Sequence, residues 1–193
     1  GELVVSVRRD GAEVARASAS CRDGVPLTVR IPQPELWYPD SPVLYDLTFE
    51  VVVGGTTVDS VSSYGALRDI TLLDGTFFVN DSSVYLRFVL DQGFYPDGIW
   101  TAPSDEALRH DIELSMAAGF NGARLHQKVF EDRFHYWADR LGYLTWSDWP
   151  SWGLDYNDYH AVRAFENEVR EVVAYLRNHP SIIAWTPLNE TRE

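Results

Sequence analysis

Apolar and polar residues alternate with a period of two through residues 1–69, and turn-forming residues interrupt the alternation at short intervals. Asp-Gly and Gly-Gly pairs stand at three of these interruptions. Short strands joined by such turns are typical of an antiparallel β-sandwich. The pattern predicts five strands, at residues 3–8, 13–20, 27–31, 44–53 and 57–63. These strands bring no cluster of chemically active side chains, so we predict a structural module.

The pattern changes after a bridging segment at residues 64–85, in which residues 76–79 are predicted to form one arm of a hairpin. Short apolar runs then alternate with stretches whose apolar residues recur at helical spacing. Successive strand-helix units indicate a parallel sheet with right-handed crossovers. If the helices cover a single face of this sheet, the arrangement is that of a barrel. A complete eight-stranded barrel needs about 250 residues, so the rest of the chain would form half of one. The predicted strands are 84–91, 121–126, 143–148 and a fourth from residue 182, and the predicted helices are 104–119, 134–141 and 159–178.

Several residues mark the limits of these helices. Ser104 can cap the first helix, and Asp105 in its first turn suits the helix dipole. Gly119 and Gly142 follow the first two helices, where a left-handed residue commonly stands. Pro180 prevents the third helix from continuing into the last strand.

Each predicted parallel strand ends in polar or aromatic residues, at the edge where α/β barrels hold their active sites. Carboxylates, amides and a guanidinium can bind sugar hydroxyls, and an indole can stack on the apolar face of a pyranose. This composition favours a carbohydrate ligand. The candidate site residues are Asp91, Arg124, His126, Asp148, Trp149, Asn189 and Glu190, with Gln92 and Gln127 beside them.

Four of these residues have a second interpretation. The alternative for Arg124 is a pairing with a neighbouring carboxylate, and the alternative for His126 is a purely structural role. Asp148 is also placed to cap the loop that Pro150 opens. The alternative for Glu190 is a solvated carboxylate in a loop after a core strand.

The tryptophans divide by their position in the predicted elements. Trp146 and Trp185 fall in the middle of strands and are predicted to be core residues. Trp149 and Trp152 fall in a loop, so they are the candidates for a platform on which a sugar ring stacks.

The chain is strongly acidic: 16 Lys and Arg stand against 29 Asp and Glu, and the formal net charge is −13. Lys128 is the only lysine, so no basic stripe is available for nucleic-acid phosphates or an anionic membrane. No apolar run has the length of a transmembrane helix, and the first residues show no basic region followed by an apolar stretch. We predict that neither nucleic acid nor a membrane is a partner.

Cys21 is the single cysteine, which excludes an intrachain disulfide and favours a reducing, cytoplasmic compartment. The five histidines include no pair at i and i+4 beside a third ligand, so no metal site is predicted. The chain also contains no Gly-rich phosphate loop and no Gly-x-Ser-x-Gly elbow. We therefore predict no cofactor.

Three segments resemble glycoside hydrolase family 2, which includes β-galactosidases, β-glucuronidases and β-mannosidases. The first is the run Pro-Glu-Leu-Trp-Tyr-Pro-Asp-Ser-Pro-Val-Leu-Tyr at residues 34–45, and the second is Gly-Phe-Asn-Gly-Ala-Arg at 119–124. The third runs from Asn-His-Pro-Ser at residue 178 to the Asn-Glu pair at 189 and 190. Their order and spacing extend over nearly the whole chain.

The resemblance implies an immunoglobulin-like β-sandwich at residues 1–69, followed by the first four βα units of a TIM (β/α)8 barrel at residues 70–193. It implies that Glu190 is the general acid/base, that Asn189 binds the sugar 2-hydroxyl, and that Arg124 orients the nucleophile. That nucleophile, a second Glu, is expected at the end of the seventh barrel strand, outside this sequence. The chain also begins within a strand pattern, so we expect a segment of a longer polypeptide.

The chain departs from the family pattern at three strand ends. Many members carry Arg-x-x-His-x-Pro after the second barrel strand, whereas residues 124–128 read Arg-Leu-His-Gln-Lys. Many carry Arg-Gly at the first strand, where this chain has Arg87-Phe88. Residues 147–150 lack the acidic pair common in β-galactosidases. These departures leave the sugar unspecified.

The function predicted from the sequence is retaining hydrolysis of a β-glycoside by the longer protein, with this segment inactive by itself. A second hypothesis is a catalytically inactive carbohydrate-binding or scaffold protein that keeps the polar strand ends without a nucleophile. A third is another barrel glycosidase family of the same clan, which the sandwich ahead of the barrel disfavours.

Overall fold

The computed structural model describes residues 1–190 and divides the chain into two compact units. The first unit comprises residues 1–37 and 43–67. The second comprises residues 38–42 and 68–190. The short segment 38–42 therefore belongs to the second unit, although it lies within the first along the chain.

The first unit is built on one antiparallel sheet of four strands in the order β2-β1-β3-β4. The four consecutive residues 4–7 of β1 are all buried, as a central strand requires. Two-residue turns with positive φ join the strands, at Asp10-Gly11 and Gly54-Gly55. The strands are β1 (Glu2–Arg9), β2 (Ala12–Ser20), β3 (Tyr45–Val53) and β4 (Thr56–Gly65).

The strand predicted at residues 27–31 does not form. Pro26 and Pro32 bound this segment, and neither can donate a hydrogen bond to a sheet ladder. Val29 and Ile31 nevertheless pack against the buried cluster of Val7, Val43 and Tyr45. The unit is sandwich-like: an irregular segment, rather than a second sheet, supplies these layer contacts.

A three-stranded antiparallel meander follows, where the sequence predicted one hairpin arm. Its strands are β5 (Ile70–Leu73), β6 (Thr76–Val79) and β7 (Ser82–Val84). The strand predicted at residues 84–91 is broken, and β8 begins only at Phe88. Asn121 holds the break, because its side chain accepts a hydrogen bond from Arg87 N at 2.8 Å and donates one to Tyr85 O at 2.9 Å.

The rest of the second unit is a parallel sheet of four strands in the order β8-β9-β10-β11 with helices along the connections. Consecutive parallel strands place their carboxyl ends on one edge, as the strand-helix alternation predicts. The elements are β8 (Phe88–Asp91), α1 (Asp105–Ala117), β9 (Gly122–Leu125), α2 (Asp132–Leu141), β10 (Leu144–Asp148), α3 (Tyr159–Leu176) and β11 (Ile182–Thr186).

The helix ends follow the predicted chemistry. Ser104 Oγ accepts a hydrogen bond from Ala107 N at 3.2 Å and caps α1. Gly142 ends α2 with φ 74°, and a Cβ atom at this position would lie 1.9 Å from Pro39 O. Only glycine meets both conditions. The core between sheet and helices contains Leu108, Ile112, Ala123, Leu125, Phe130, Phe134, Ala138 and Tyr143.

A buried histidine-carboxylate cluster fixes the start of β11. Asp139 of α2 accepts a hydrogen bond from Ser181 N at 2.9 Å, and its other oxygen lies 2.6 Å from His179 Nδ1. His179 Nε2 lies 3.2 Å from Asp132. His135 is fully buried with its ring 5.2 Å from that of His179. No role for these two histidines was predicted from the sequence.

These two histidines have pKa values shifted in opposite directions. Burial, helped by the nearby His179, lowers the pKa of His135 to about 3. Burial acts in the same sense on His179, but Asp139 and Asp132 outweigh it and raise the pKa of His179 above its usual value. His135 therefore favours folding in its neutral form, and His179 favours it in its charged form.

We expect the free energy of unfolding to fall as the pH drops below about 6.5, the pKa of an unfolded histidine, because the unfolded chain then protonates His135. This contribution has a slope of about 1.4 kcal/mol per pH unit. Above pH ~6.5 the sign reverses, because the stability contributed by His179 is lost as the pH rises through its folded pKa.

Urea titrations between pH 4 and 8 would measure this dependence in the wild-type protein and in His135→Phe. The variant should lose part of the acid slope, whereas the exposed His110→Gln control should keep it. Identical acid slopes in all three proteins would show that His135 is not buried in the neutral form.

Candidate functional site

The carboxyl edge of the parallel sheet joins side chains from three neighbouring strands. Arg124 of β9 donates to both carboxylate oxygens of Asp148 at the end of β10, over 2.8–3.2 Å. Its Nη2 also donates to Asn189 Oδ1, past the end of β11, over 2.6 Å. One guanidinium therefore links the ends of all three strands.

The two partners of this ion pair differ in burial. The Asp148 side chain is fully buried, whereas the Arg124 side chain is 34% exposed. A buried carboxylate held by several charge-assisted hydrogen bonds is fixed in orientation. Of the interpretations open from the sequence, the pairing of Arg124 with a neighbouring carboxylate is observed. The carboxylate is Asp148.

Asn189 is held at three of its four polar groups. Its N–H donates to Ser151 Oγ at 3.0 Å, and its carbonyl accepts from Trp152 Nε1 at 3.2 Å. Its side-chain oxygen is taken by Arg124. The remaining group, Nδ2, is buried and has no hydrogen-bond partner among residues 1–190. Asn189 thus offers one oriented donor.

Glu190 follows Asn189 directly, four residues after β11 ends at Thr186. It is exposed, and its backbone has a positive φ of 50°. Such a φ is uncommon for a residue with a Cβ atom, and residues of this kind concentrate at active sites and ligand clamps. β11 itself pairs in parallel with β10, so Glu190 belongs to the same edge as Asp148.

A second group lies at the ends of β8 and β9. Asp91 accepts a hydrogen bond from Gly93 N at 2.8 Å. Burial raises the pKa of Asp91; Asp111 adds to the shift, while the Gly93 N–H and Lys128 oppose it. His126 Nδ1 lies 3.2 Å from Gln92 Nε2.

An open cleft of about 370 Å³ lies beside these residues. Its volume falls in the range of small-molecule sites. Three aromatic residues that line it, Phe94, Trp100 and Trp152, are each at least 60% exposed. The remaining lining residues are Gln92, His126, Gln127, Lys128 and Pro150. Aromatic faces beside hydrogen-bonding side chains suit a sugar ring.

The structure differs from the prediction at Trp149. This residue is only 2% exposed, and its ring lies 5.3 Å from that of Trp185, so it is not an open platform here. Trp152, the other predicted platform residue, is exposed and lines the cleft. Trp146 donates from Nε1 to Thr186 Oγ1 at 2.7 Å.

Four residues at this edge were not predicted from the sequence. Phe94 and Trp100 lie in the long loop after β8, which has no periodicity to mark them. Ser151 carries no motif. Lys128 was noted only for charge, yet it is buried and donates to Gly93 O at 3.1 Å and Trp100 O at 2.7 Å, which fixes that loop. An isolated lysine in an acidic chain was the available signal.

Neither a metal-binding cluster nor a membrane-spanning helix occurs in residues 1–190. Three or more His, Cys, Asp or Glu side chains never gather there in a way that could hold a metal ion. None of the helices in that range is both long enough and apolar enough to span a bilayer.

A parallel β/α sheet with a polar cluster at its carboxyl edge is the arrangement in which α/β enzymes bind ligands. Comparison with known proteins points to one family. The sequence profile of glycosyl hydrolases family 2 matches residues 3–68, about a third of the chain. This match and the relatives below support a segment of a glycoside hydrolase family 2 protein, the family that the three motifs resemble.

Individual relatives agree with this assignment. A Formosa agariphila protein, provisionally named a β-glucuronidase, is 31% identical over 163 residues, which cover 83% of this chain and 19% of the relative. A β-galactosidase of Thermoanaerobacter pseudethanolicus is 24% identical, over 81% of this chain and 21% of the relative. The chain thus spans about a fifth of these curated relatives.

A solved structure extends the similarity to three dimensions. Bacteroides uniformis β-glucuronidase 2, covalently bound to cyclophellitol-6-carboxylate aziridine, superposes with a TM-score of 0.82 at 28% identity. The match covers 98% of this chain and 24% of that protein.

Proposed function

We propose that the protein containing this chain is a retaining β-glycosidase. The observation that carries the proposal is the network of Arg124, Asp148 and Asn189, which holds one free amide donor directly before Glu190. Family 2 relatives named as β-glucuronidases and β-galactosidases support a β-glycoside as the substrate. The aromatic cleft supports a carbohydrate ligand.

In this proposal Glu190 donates a proton to the glycosidic oxygen while a second carboxylate attacks the anomeric carbon. The carbon–oxygen bond breaks, the leaving group departs as the alcohol, and a covalent glycosyl-enzyme remains. Glu190 then takes a proton from water, which attacks the same carbon and frees the sugar. The covalent adduct of Bacteroides uniformis β-glucuronidase 2 supports a covalent route in this family.

The attacking carboxylate comes from outside this sequence. Asp148 is poorly suited to the role, because it is fully buried and occupied by Arg124. Asn189 Nδ2 is assigned to the sugar 2-hydroxyl, and Arg124 to orienting the nucleophile. Asp91 and His126, with the cleft beside them, are assigned to further sugar contacts.

We also propose that further strands complete a barrel around this sheet. β8 and β11 are its edge strands, and edge strands leave backbone groups available for pairing. Three apolar residues at helical spacing on α3, Val162, Phe165 and Val169, are only half-buried. The relatives, about five times longer, have ample chain to cover such surfaces.

The proposal is tested by assaying the intact natural protein, and this chain alone, on 4-nitrophenyl β-glucuronide, β-galactoside and β-mannoside. We expect the intact protein to hydrolyse at least one substrate and NMR to show the β-anomer as the first product. The chain alone should fall short by at least ~10³-fold, because it lacks the nucleophile.

Two results would count against this proposal. An α-anomeric first product would rule out retention. Sugar binding without turnover by the intact protein would instead support the carbohydrate-binding scaffold.

A further inference from the structure

The Asn189 peptide is held by a relay of hydrogen bonds that begins at Gln127, in the loop after β9. Gln127 Oε1 accepts from Ser151 N and Trp152 N, each at 3.1 Å. Ser151 Oγ accepts from Asn189 N, and Trp152 Nε1 donates to Asn189 O. A single glutamine oxygen therefore joins the loop after β9 to the loop that holds Asn189 from both sides.

The Ser151 arm of the relay is buried, whereas Trp152 in the other arm is exposed. Ser151 is 1% exposed and Asn189 is 6% exposed, so neither backbone group has bulk water as an easy substitute partner. Gln127 adopts a positive φ of 51°, an uncommon conformation for a residue other than glycine. In this backbone conformation the side-chain oxygen of Gln127 accepts hydrogen bonds from two adjacent backbone N–H groups.

The Gln127 side chain is committed to the protein rather than to a ligand. It stands three residues after Arg124. Its oxygen already serves two protein donors, so it is engaged by the protein itself. His126, one residue earlier, lies within hydrogen-bond distance of Gln92 and takes no part in the hydrogen bonds of this relay, although its ring lies edge-on to that of Trp152 at 6.3 Å.

We propose that Gln127 is a positioning residue: it acts through Ser151 and Trp152 to hold the Asn189 amide where it meets the 2-hydroxyl of the substrate. This inference rests on the proposed β-glycosidase function. It predicts that Gln127 affects catalysis only when the substrate carries its 2-hydroxyl. Gln127 does not contact that hydroxyl itself but positions Asn189, which does.

The test uses the intact protein with the 4-nitrophenyl β-glycoside that it hydrolyses fastest, and with the 2-deoxy analogue of that glycoside. Gln127→Met keeps the side-chain length but removes the acceptor oxygen. It should lower kcat/KM for the parent glycoside about 10- to 100-fold, because small misplacements in an active site are costly. For the 2-deoxy glycoside the loss should be less than about threefold, because the hydroxyl that Asn189 binds is absent.

Two further variants separate positioning from folding. Gln127→Glu retains the acceptor oxygen and should recover most of the loss on the parent glycoside. Asn121→Leu removes two comparable side-chain-to-backbone hydrogen bonds at the opposite end of β9. It should lower the urea midpoint of unfolding without changing the ratio of kcat/KM for the parent glycoside to kcat/KM for the 2-deoxy glycoside.

The outcomes distinguish this inference from the function on which it rests. An equal loss of kcat/KM on both glycosides in Gln127→Met, or no loss on either, would overturn the positioning role and leave the glycosidase proposal standing. A wild-type protein that hydrolyses no β-glycoside would instead overturn the proposed function.

Discussion

Replacement of Glu190 by alanine should slow hydrolysis of an alkyl β-glycoside by the intact protein by about 10²–10⁴-fold, the typical contribution of general acid catalysis. Cleavage of a 2,4-dinitrophenyl glycoside should suffer far less in its first step, because that leaving group departs without a proton. Exogenous azide should restore turnover of the activated substrate by attacking the glycosyl-enzyme from the face that water uses.

The measurements are kcat/KM on both substrates, which reports the first step, and kcat with and without azide, which reports the second step. The product formed with azide is identified as the β-glycosyl azide. Glu168→Ala, at an exposed position of α3, is the matched control and should retain full activity on both substrates. Equal loss on both substrates without azide rescue would remove Glu190 from the acid/base role.

Replacement of Asp148 by asparagine should have the second-largest effect, because it neutralises a fully buried partner of Arg124 while keeping its shape. Removing one member of a buried ion pair typically costs 3–5 kcal/mol. Arg124 remains one-third exposed and can be partly rehydrated, so we expect about 2–3 kcal/mol. Without the Asp148 carboxylate, Arg124 is no longer fixed in the position where it holds Asn189. This should also lower kcat/KM about 100-fold.

Urea unfolding and steady-state kinetics on the same preparation measure both effects. Asp105→Asn is the control, because Asp105 also pairs with an arginine through two hydrogen bonds, to Arg133 at 2.7 and 2.9 Å, but at the protein surface. It should change stability much less and leave activity intact. A wild-type unfolding midpoint in Asp148→Asn would show that the pair is not structurally important.

The predicted site residues separate into groups that the sequence could not distinguish. Arg124, Asp148 and Asn189 form one bonded cluster, and Asp91 and His126 belong to a second group near the cleft. Spacing along the chain places all five at strand ends. Which of them touch depends on side-chain directions and on the lengths of the intervening loops.

The sequence by itself determined the element order. The change from a period of two to strand-helix alternation, the cap at Ser104 and the glycine at 142 are local signals, and local steric and hydrogen-bonding rules act on them directly. The family motifs likewise need only the order of residues. The same local rules failed at residues 27–31, where two prolines deny a strand that the apolar alternation favours.

Only the tertiary structure decided which side chains meet. The burial of Trp149 depends on neighbours that are distant in sequence. The relay from Gln127 to Asn189 likewise connects residues that are distant in sequence. Such contacts arise because the parallel strands bring the ends of β9, β10 and β11 to one edge, and no periodicity records them. The sequence therefore predicts which residue types stand at the strand ends, but the contacts among these residues depend on the geometry that brings the strand ends together.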